Sequence, residues 1–233
     1  MGKFFNTDGY CDSEYHYMVD LSGRLNDVRR MVDDGKYFTI NRARQYGKTT
    51  FLTALEEYLK DDYQVISMDF QGFSYADFES EKNFTAAFSR QFLIYGTEIP
   101  DDIEEELRYY STGKKQEATL SMLFDLLSRL CKEAERNIVL IIDEVDSATN
   151  NQVFIDFLSQ LRFYYLKRRK VASFHSVILA GVYDVRSIKG KIRPDGEHKE
   201  NSPWNIAADF RVDMSFGEED IAGMLEEYEK DSH

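Results

Sequence analysis

Two stretches of the chain carry residue types that can do chemistry together. The first is Arg42-Ala43-Arg44-Gln45-Tyr46-Gly47-Lys48-Thr49-Thr50. A loop that cradles phosphate needs inward-pointing backbone N–H groups and a helix N-terminus behind them. Gly47 lets backbone approach phosphate closely, Lys48 brings a charge for β- and γ-phosphates, and Thr49 brings a hydroxyl for Mg²⁺. The strict pattern places a glycine five residues before Gly47, where this chain has Arg42. An arginine held at φ > 0 there would cost about 1–2 kcal/mol, unless the loop takes another path. Arg42 and Arg44 add further positive charge. By itself, Gly-Lys-Thr-Thr also reads as an ordinary helix start.

The second stretch is Asp143-Glu144, directly after the apolar run Ile138-Val139-Leu140-Ile141-Ile142. In an open parallel sheet, ligands sit at the carboxyl ends of strands. Asp143 at such an end can hold Mg²⁺ through water. Glu144 can take a proton from an attacking water or orient it. The competing reading is a solvated or capping pair in the loop after a strand, and Asp146 falls under it as well. Two half-sites at two strand ends, in this order, favour the chemical reading.

The elements that would hold these stretches follow from periodicity. Leu25, Val28, Met31 and Val32 mark a helix closed by Gly35. Tyr37–Ile40 reads as a strand, Lys48–Leu59 as a helix with Leu52, Leu55 and Leu59 on one face, and Tyr63–Phe70 as a second strand. Phe84, Phe88, Phe92 and Tyr95 recur at helical spacing. An acidic link, Asp101 to Glu106, interrupts before the amphipathic face Leu120 to Cys131. Residues 137–142 form a strand without alternation, so both of its faces are buried. A helix over 150–167, a strand over 176–182, a polar loop over 186–203, a fifth strand over 210–216 and a helix over 218–228 complete the order. Such alternation means a parallel sheet with crossover helices. Residues 1–20, rich in aromatics without periodicity, read as an irregular packing segment.

Composition narrows the class. The chain of 233 residues has 42 acidic and 29 basic side chains, a net charge of −13. That charge argues against coating nucleic acid, an affinity built on Lys and Arg, so no direct nucleic-acid contact is expected. At 42 % hydrophobic and 14 % aromatic, the chain can build a core. Cys11 and Cys131 are far apart, and the four histidines show no metal-ligand spacing. The longest apolar run is five residues, and no signal peptide begins the chain. A cytoplasmic protein without a membrane segment is the expectation.

With these residues in view, the chain resembles a P-loop NTPase of the additional-strand type, Asp143-Glu144 being its Walker B element. More specifically, it resembles the bacterial AAA-ATPase-like family whose loop reads Asn-Arg-x-Arg-Gln-Tyr-Gly-Lys-Thr. Residues 35–49, 142–146 and 202–207 carry the match, and the likeness extends over nearly the whole chain. In that family the absent first glycine is normal. The resemblance implies an α/β fold, a three-layer αβα P-loop NTPase with a five-stranded parallel sheet of order 5-1-4-3-2. It implies ATP and Mg²⁺ as cofactors. Residues 1–35 would pack on a core of 36–216, and 217–233 would begin a truncated lid. Larger members often add a region resembling a PD-(D/E)xK nuclease.

The resulting assignment gives nucleotide contacts to Arg42, Arg44, Gln45, Tyr46, Gly47, Lys48, Thr49 and Thr50. Mg²⁺ goes to Thr49 and Asp143, and catalysis to Glu144 and Lys48. Asp184, after the fourth strand, is a sensor candidate on even terms with a turn residue. No arginine finger is assigned: Arg193, Arg211 and the basic cluster Arg162, Lys167, Arg168, Arg169 and Lys170 are candidates, and the cluster better suits a helix C-terminus. Trp204 packs beneath the last strand or lines the adenine pocket, packing being commoner. The leading expectation is slow Mg-dependent ATP hydrolysis used as a conformational switch. The alternatives are a non-hydrolysing nucleotide-gated module acting on a nuclease-like or other effector, and a truncated remnant of a larger ATPase. Partners to expect are the nucleotide and either an effector protein or a second copy of the chain.

Overall fold

The computed structural model describes residues 2–7, 9–41, 47–114, 118–182 and 204–231. In order, these form α1 (Ser22–Asp33), β1 (Tyr37–Asn41), α2 (Lys48–Leu59), β2 (Gln64–Asp69), α3 (Glu81–Tyr95), α4 (Asp101–Ser111), α5 (Leu120–Glu133), β3 (Ile138–Asp143), α6 (Gln152–Lys167), β4 (Ser176–Gly181) and α7 (Glu218–Asp231). The strands lie parallel in the order β1-β4-β3-β2.

Strand side chains alternate between two cores, so the molecule has three layers. Phe38, Ile40, Val65, Val139, Ile141, Ile178 and Ala180 face one core, shared with α1 and α2. Tyr37, Ile66, Met68, Leu140, Ile142, Val177 and Leu179 face the other, shared with α3 to α6. Every residue of β3 and β4 is buried, as the uninterrupted apolar run requires. Phe157 centres the second core, with the rings of Phe84, Phe88 and Phe124 at 5.3, 5.3 and 5.4 Å. Side chains close two helix starts there: Ser80 Oγ accepts from Asn83 N–H and Thr119 Oγ1 from Met122 N–H, satisfying donors the helices cannot.

Two sequence expectations need correction. The sheet has four strands among the described residues, and 210–216 is not a fifth. A single parallel bridge, Phe38 to Ala208, stands beside β1, with Ala208 N–H donating to Tyr37 O at 2.7 Å. The segment still packs inward: Phe210 stacks on Phe38 and Met214 is buried. Further along, however, Arg24 of α1 donates to the carbonyls of Asp213 and Ser215. A side chain thus binds carbonyls that a ladder would otherwise use. The acidic stretch 101–106 is also no link but the start of α4. Ile103, Leu107 and Tyr110 are buried on one stripe, and Asp101, Asp102 and Glu104 occupy the first turn, where the helix dipole favours them.

Trp204 is fully buried. Its Nε1–H donates to Thr39 Oγ1 at 2.9 Å and its ring stacks over Tyr37, so it packs on β1. Arg168 closes α6 by donating to Tyr165 O, in keeping with a cation at a helix end. Cys11 and Cys131 are both free, and burial raises the Cys131 thiol to about 12. Among the described residues, no helix is long and apolar enough to cross a membrane.

Candidate functional site

The site lies where β1, β2, β3 and β4 end. Gly47 caps α2 in the left-handed region, at φ +69° and ψ +23°. Among the described residues, no atom beyond its chain neighbours lies within 4 Å of where its Cβ would be, and its positive φ by itself favours glycine here. Lys48 follows as the first residue of α2, and the turn of the helix sends its side chain inward, leaving the residue 9 % exposed.

Across from it, β3 ends in Asp143, which is 8 % exposed. Lys48 Nζ lies 2.9 Å from Asp143 Oδ1 and 2.7 Å from Glu144 Oε1. Burial works against the ammonium. Hydrogen bonds and charge from Glu144 and Asp143 outweigh it, and hold the Lys48 pKa above its ordinary value. Lys48 is therefore a cation that the fold keeps charged.

Thr49 Oγ1 is 3.4 Å from Asp143 Oδ2, so the expected metal-holding pair converges. Among the described residues, no group of three His, Cys, Asp or Glu could cage a metal. Mg²⁺ needs no such cage: it takes one or two protein oxygens and completes its octahedron with water and phosphate. The hard oxygens of Thr49 and Asp143 fit that habit.

Glu144 adopts φ +52° and ψ +38°, a left-handed backbone carried by a residue that is neither Gly nor Asn. Such a conformer costs about 1 kcal/mol or more and persists where surroundings over-determine it. It turns the chain out of β3 into the 3-10 turn Val145–Ala148.

The structure brings Gly47, Lys48, Thr49, Asp143 and Glu144 together. Thr50 serves a different contact: its Oγ1 accepts from Cys11 N–H, tying the N-terminal segment to α2. Arg42, Arg44, Gln45, Tyr46 and Asp184 lie outside the described residues.

Two features of the site were not read from the sequence. Asp69 ends β2 directly opposite Asp143 in the ladder. Burial raises its pKa, a hydrogen bond from Gln71 N–H opposes this, and the charges of Asp143 and Glu144 raise it further. A carboxylate at the end of a second strand was the signal for it. The other feature is an apolar cavity of about 290 Å³ beside Gly47 and Thr50, walled by Tyr17, Met18, Val19, Phe51, Met214 and Met224. The aromatic N-terminus and α7 build it jointly. Tyr228 packs on Phe5 and Tyr17, Arg24 grips Asp220 at 2.7 Å, and Lys3 meets Glu227 at 2.6 Å. Contacts over some 200 positions leave no periodicity to read.

The family model of an AAA-like domain matches residues 14–232. The comparison with curated proteins gave no match. Among solved structures, the chain is similar to a chain in a structure of Drosophila ORC bound to poly(dA/dT) DNA and Cdc6. There the identity is 14 % and the TM-score 0.40, over 74 % of this chain and 27 % of that one. A structure of Drosophila ORC bound to GC-rich DNA and Cdc6 matches at 14 % identity and TM-score 0.39, with the same coverage. The chain thus spans about a quarter of the length of those chains. A likeness of this size carries no argument about activity or partner.

Proposed function

The chain belongs to the AAA-like domain family, and from that premise we propose that it binds ATP with Mg²⁺ at the Lys48–Asp143 site. We further propose that it hydrolyses ATP slowly, as a conformational switch. One observation carries the reading: Lys48, Thr49, Asp143 and Glu144 converge at the carboxyl end of a parallel sheet, at the N-terminus of α2.

Each residue has a role that its position supports. The α2 amides and the Lys48 ammonium would take the β- and γ-phosphates. Thr49 and Asp143 would hold Mg²⁺, which when bound offsets phosphate charge. Glu144 would accept the proton of the attacking water. To meet phosphate, Lys48 must exchange a carboxylate for a phosphate oxygen. That exchange would release Glu144 for its role as base. The apolar cavity beside Gly47 suits a planar base, and α7 would act as its cover.

A second reading, a nucleotide-gated module without turnover, draws support from the Lys48–Glu144 pair itself, which engages the base candidate at 2.7 Å. In either case an effector protein or a second copy would read the conformation, in a cytoplasmic setting. Single-turnover hydrolysis with Mg²⁺ separates the two. A rate lost in Glu144→Gln supports the enzyme, whereas tight binding with no turnover supports the module. A protein that binds neither ATP nor ADP would overturn both.

A further inference from the structure

We propose that Asp146 is a positioning residue of this site: its carboxylate pins the turn carrying Glu144 to the exit of β4. The proposal rests on the hydrolytic reading given above.

The ladder geometry creates the need for such a pin. The β3–β4 pairing runs from Val139–Ser176 to Ile142–Leu179 and stops there. On its far side, β4 continues in register with β1 as far as Asn41–Gly181. Asp143 and Glu144 therefore leave β3 with no ladder partner on β4. Asp146 bridges this gap: Val182 N–H donates to its Oδ2. Its two oxygens also lie against the α-carbon of Gly181. A Cβ built there would stand 2.8 Å from Oδ2 and 3.0 Å from Oδ1, closer than side chains tolerate. A glycine ending β4 is thus the complement of an aspartate two residues after Glu144.

The other flank of the turn is held as well. Ser147 Oγ lies 2.9 Å from Glu144 O and 3.3 Å from Phe70 O, just beyond β2. The turn is fastened to the exits of both neighbouring strands, which over-determines the left-handed backbone of Glu144. Without the Asp146 pin, Glu144 can relax out of that conformation. Its carboxylate then loses its place beside Lys48 and the water it is to activate. A displacement of this kind costs rate more than affinity, because it acts on the reacting geometry.

The experiment compares the wild-type chain, Asp146→Ala, Asp146→Asn and Gly181→Ala. It measures ATP affinity with a fluorescent ATP analogue, single-turnover hydrolysis with Mg²⁺, and melting. Asp146→Ala should hydrolyse at least about tenfold more slowly, with affinity changed less than about threefold. Asp146→Asn keeps an acceptor for Val182 N–H and should restore most of the rate. Gly181→Ala should lower the melting temperature of the wild type, but much less in an Asp146→Ala background, where the space is free. Equal rates in wild type and Asp146→Ala, or no rescue by asparagine, would overturn the positioning role and leave ATP hydrolysis standing. A wild type that binds without turnover, or does not bind, overturns the hydrolytic reading and this role with it. If Asp146→Ala does not fold, the asparagine variant decides: an intact rate supports the role, and a lost rate overturns it.

Discussion

Lys48 Nζ sits 2.9 Å from Asp143 Oδ1 in a buried ion pair that joins the first residue of α2 to the last of β3. Burying two charges is costly, and the pair is retained only where geometry is good. Here the same two residues are those to which the proposed function gives phosphate and metal.

Replacing Lys48 by alanine should weaken ATP binding at least about tenfold, since a charged hydrogen bond contributes about 1.5–3 kcal/mol. It should also lower the melting temperature, because the buried Asp143 loses the cation it is paired with. Calorimetric titration and thermal melting read the two effects. Unchanged ATP affinity would remove Lys48 from the site.

Glu144→Gln should slow single-turnover hydrolysis by about a hundredfold or more, the scale of general base catalysis, and leave affinity nearly intact. A variant that turns over at the wild-type rate would exclude Glu144 as the base.

The left-handed backbone at Glu144 can be tested apart from its charge. Glu144→Gly and Glu144→Ala both lose the Lys48 contact, so their difference reports the backbone. The glycine variant should be more stable by about 1 kcal/mol in denaturant melts. With φ below zero alanine is normally the better residue, because glycine loses more freedom on folding, so the reverse order would refute the conformation.

Asp69 predicts a pH dependence. Its pKa is raised in the folded state, chiefly by burial, so its charged form costs stability there. The cost is present above the folded pKa and vanishes as pH falls towards the unfolded value near 3.8. Asp69→Asn, which still accepts from Gln71 N–H, should therefore melt higher than wild type at neutral pH. The gain should shrink on acidification, and a constant or growing gain would contradict this origin.

Arg24→Ala should loosen α7, because Arg24 grips Asp220 and the carbonyls of Asp213 and Ser215. Hydrogen exchange should quicken in α7 while the β3 amides stay protected. If α7 forms the cover of the base cavity, ATP affinity falls as well. Unchanged exchange in α7 would show that its aromatic contacts suffice.

Much of this protein is legible in its residues alone. The apolar run Ile138–Ile142 dictates a strand buried on both faces, and Gly-Lys-Thr with Asp-Glu marks the two stretches that the structure brings together. These signals are local, carried by side-chain period and by residue type at a strand end. The acidic start of α4 misled because its stripe is sparse: Ile103, Leu107 and Tyr110 sit among charges that the helix dipole welcomes.

Other features were settled only by the tertiary structure. Residues 210–216 read as a fifth strand, and among the described residues the structure keeps only a single bridge beside β1, at Ala208. Whether the segment paired as a strand depended on Arg24, about 190 positions away, binding its carbonyls. Asp146 read as a solvated or capping acid until β4 placed Gly181 and Val182 against it. Asp69 gained its neighbours Asp143 and Glu144 only when β2 took its register on β3. The physical reason is common to these cases. Periodicity reports which face of an element is buried, whereas a partner is chosen by how elements from distant parts of the chain meet.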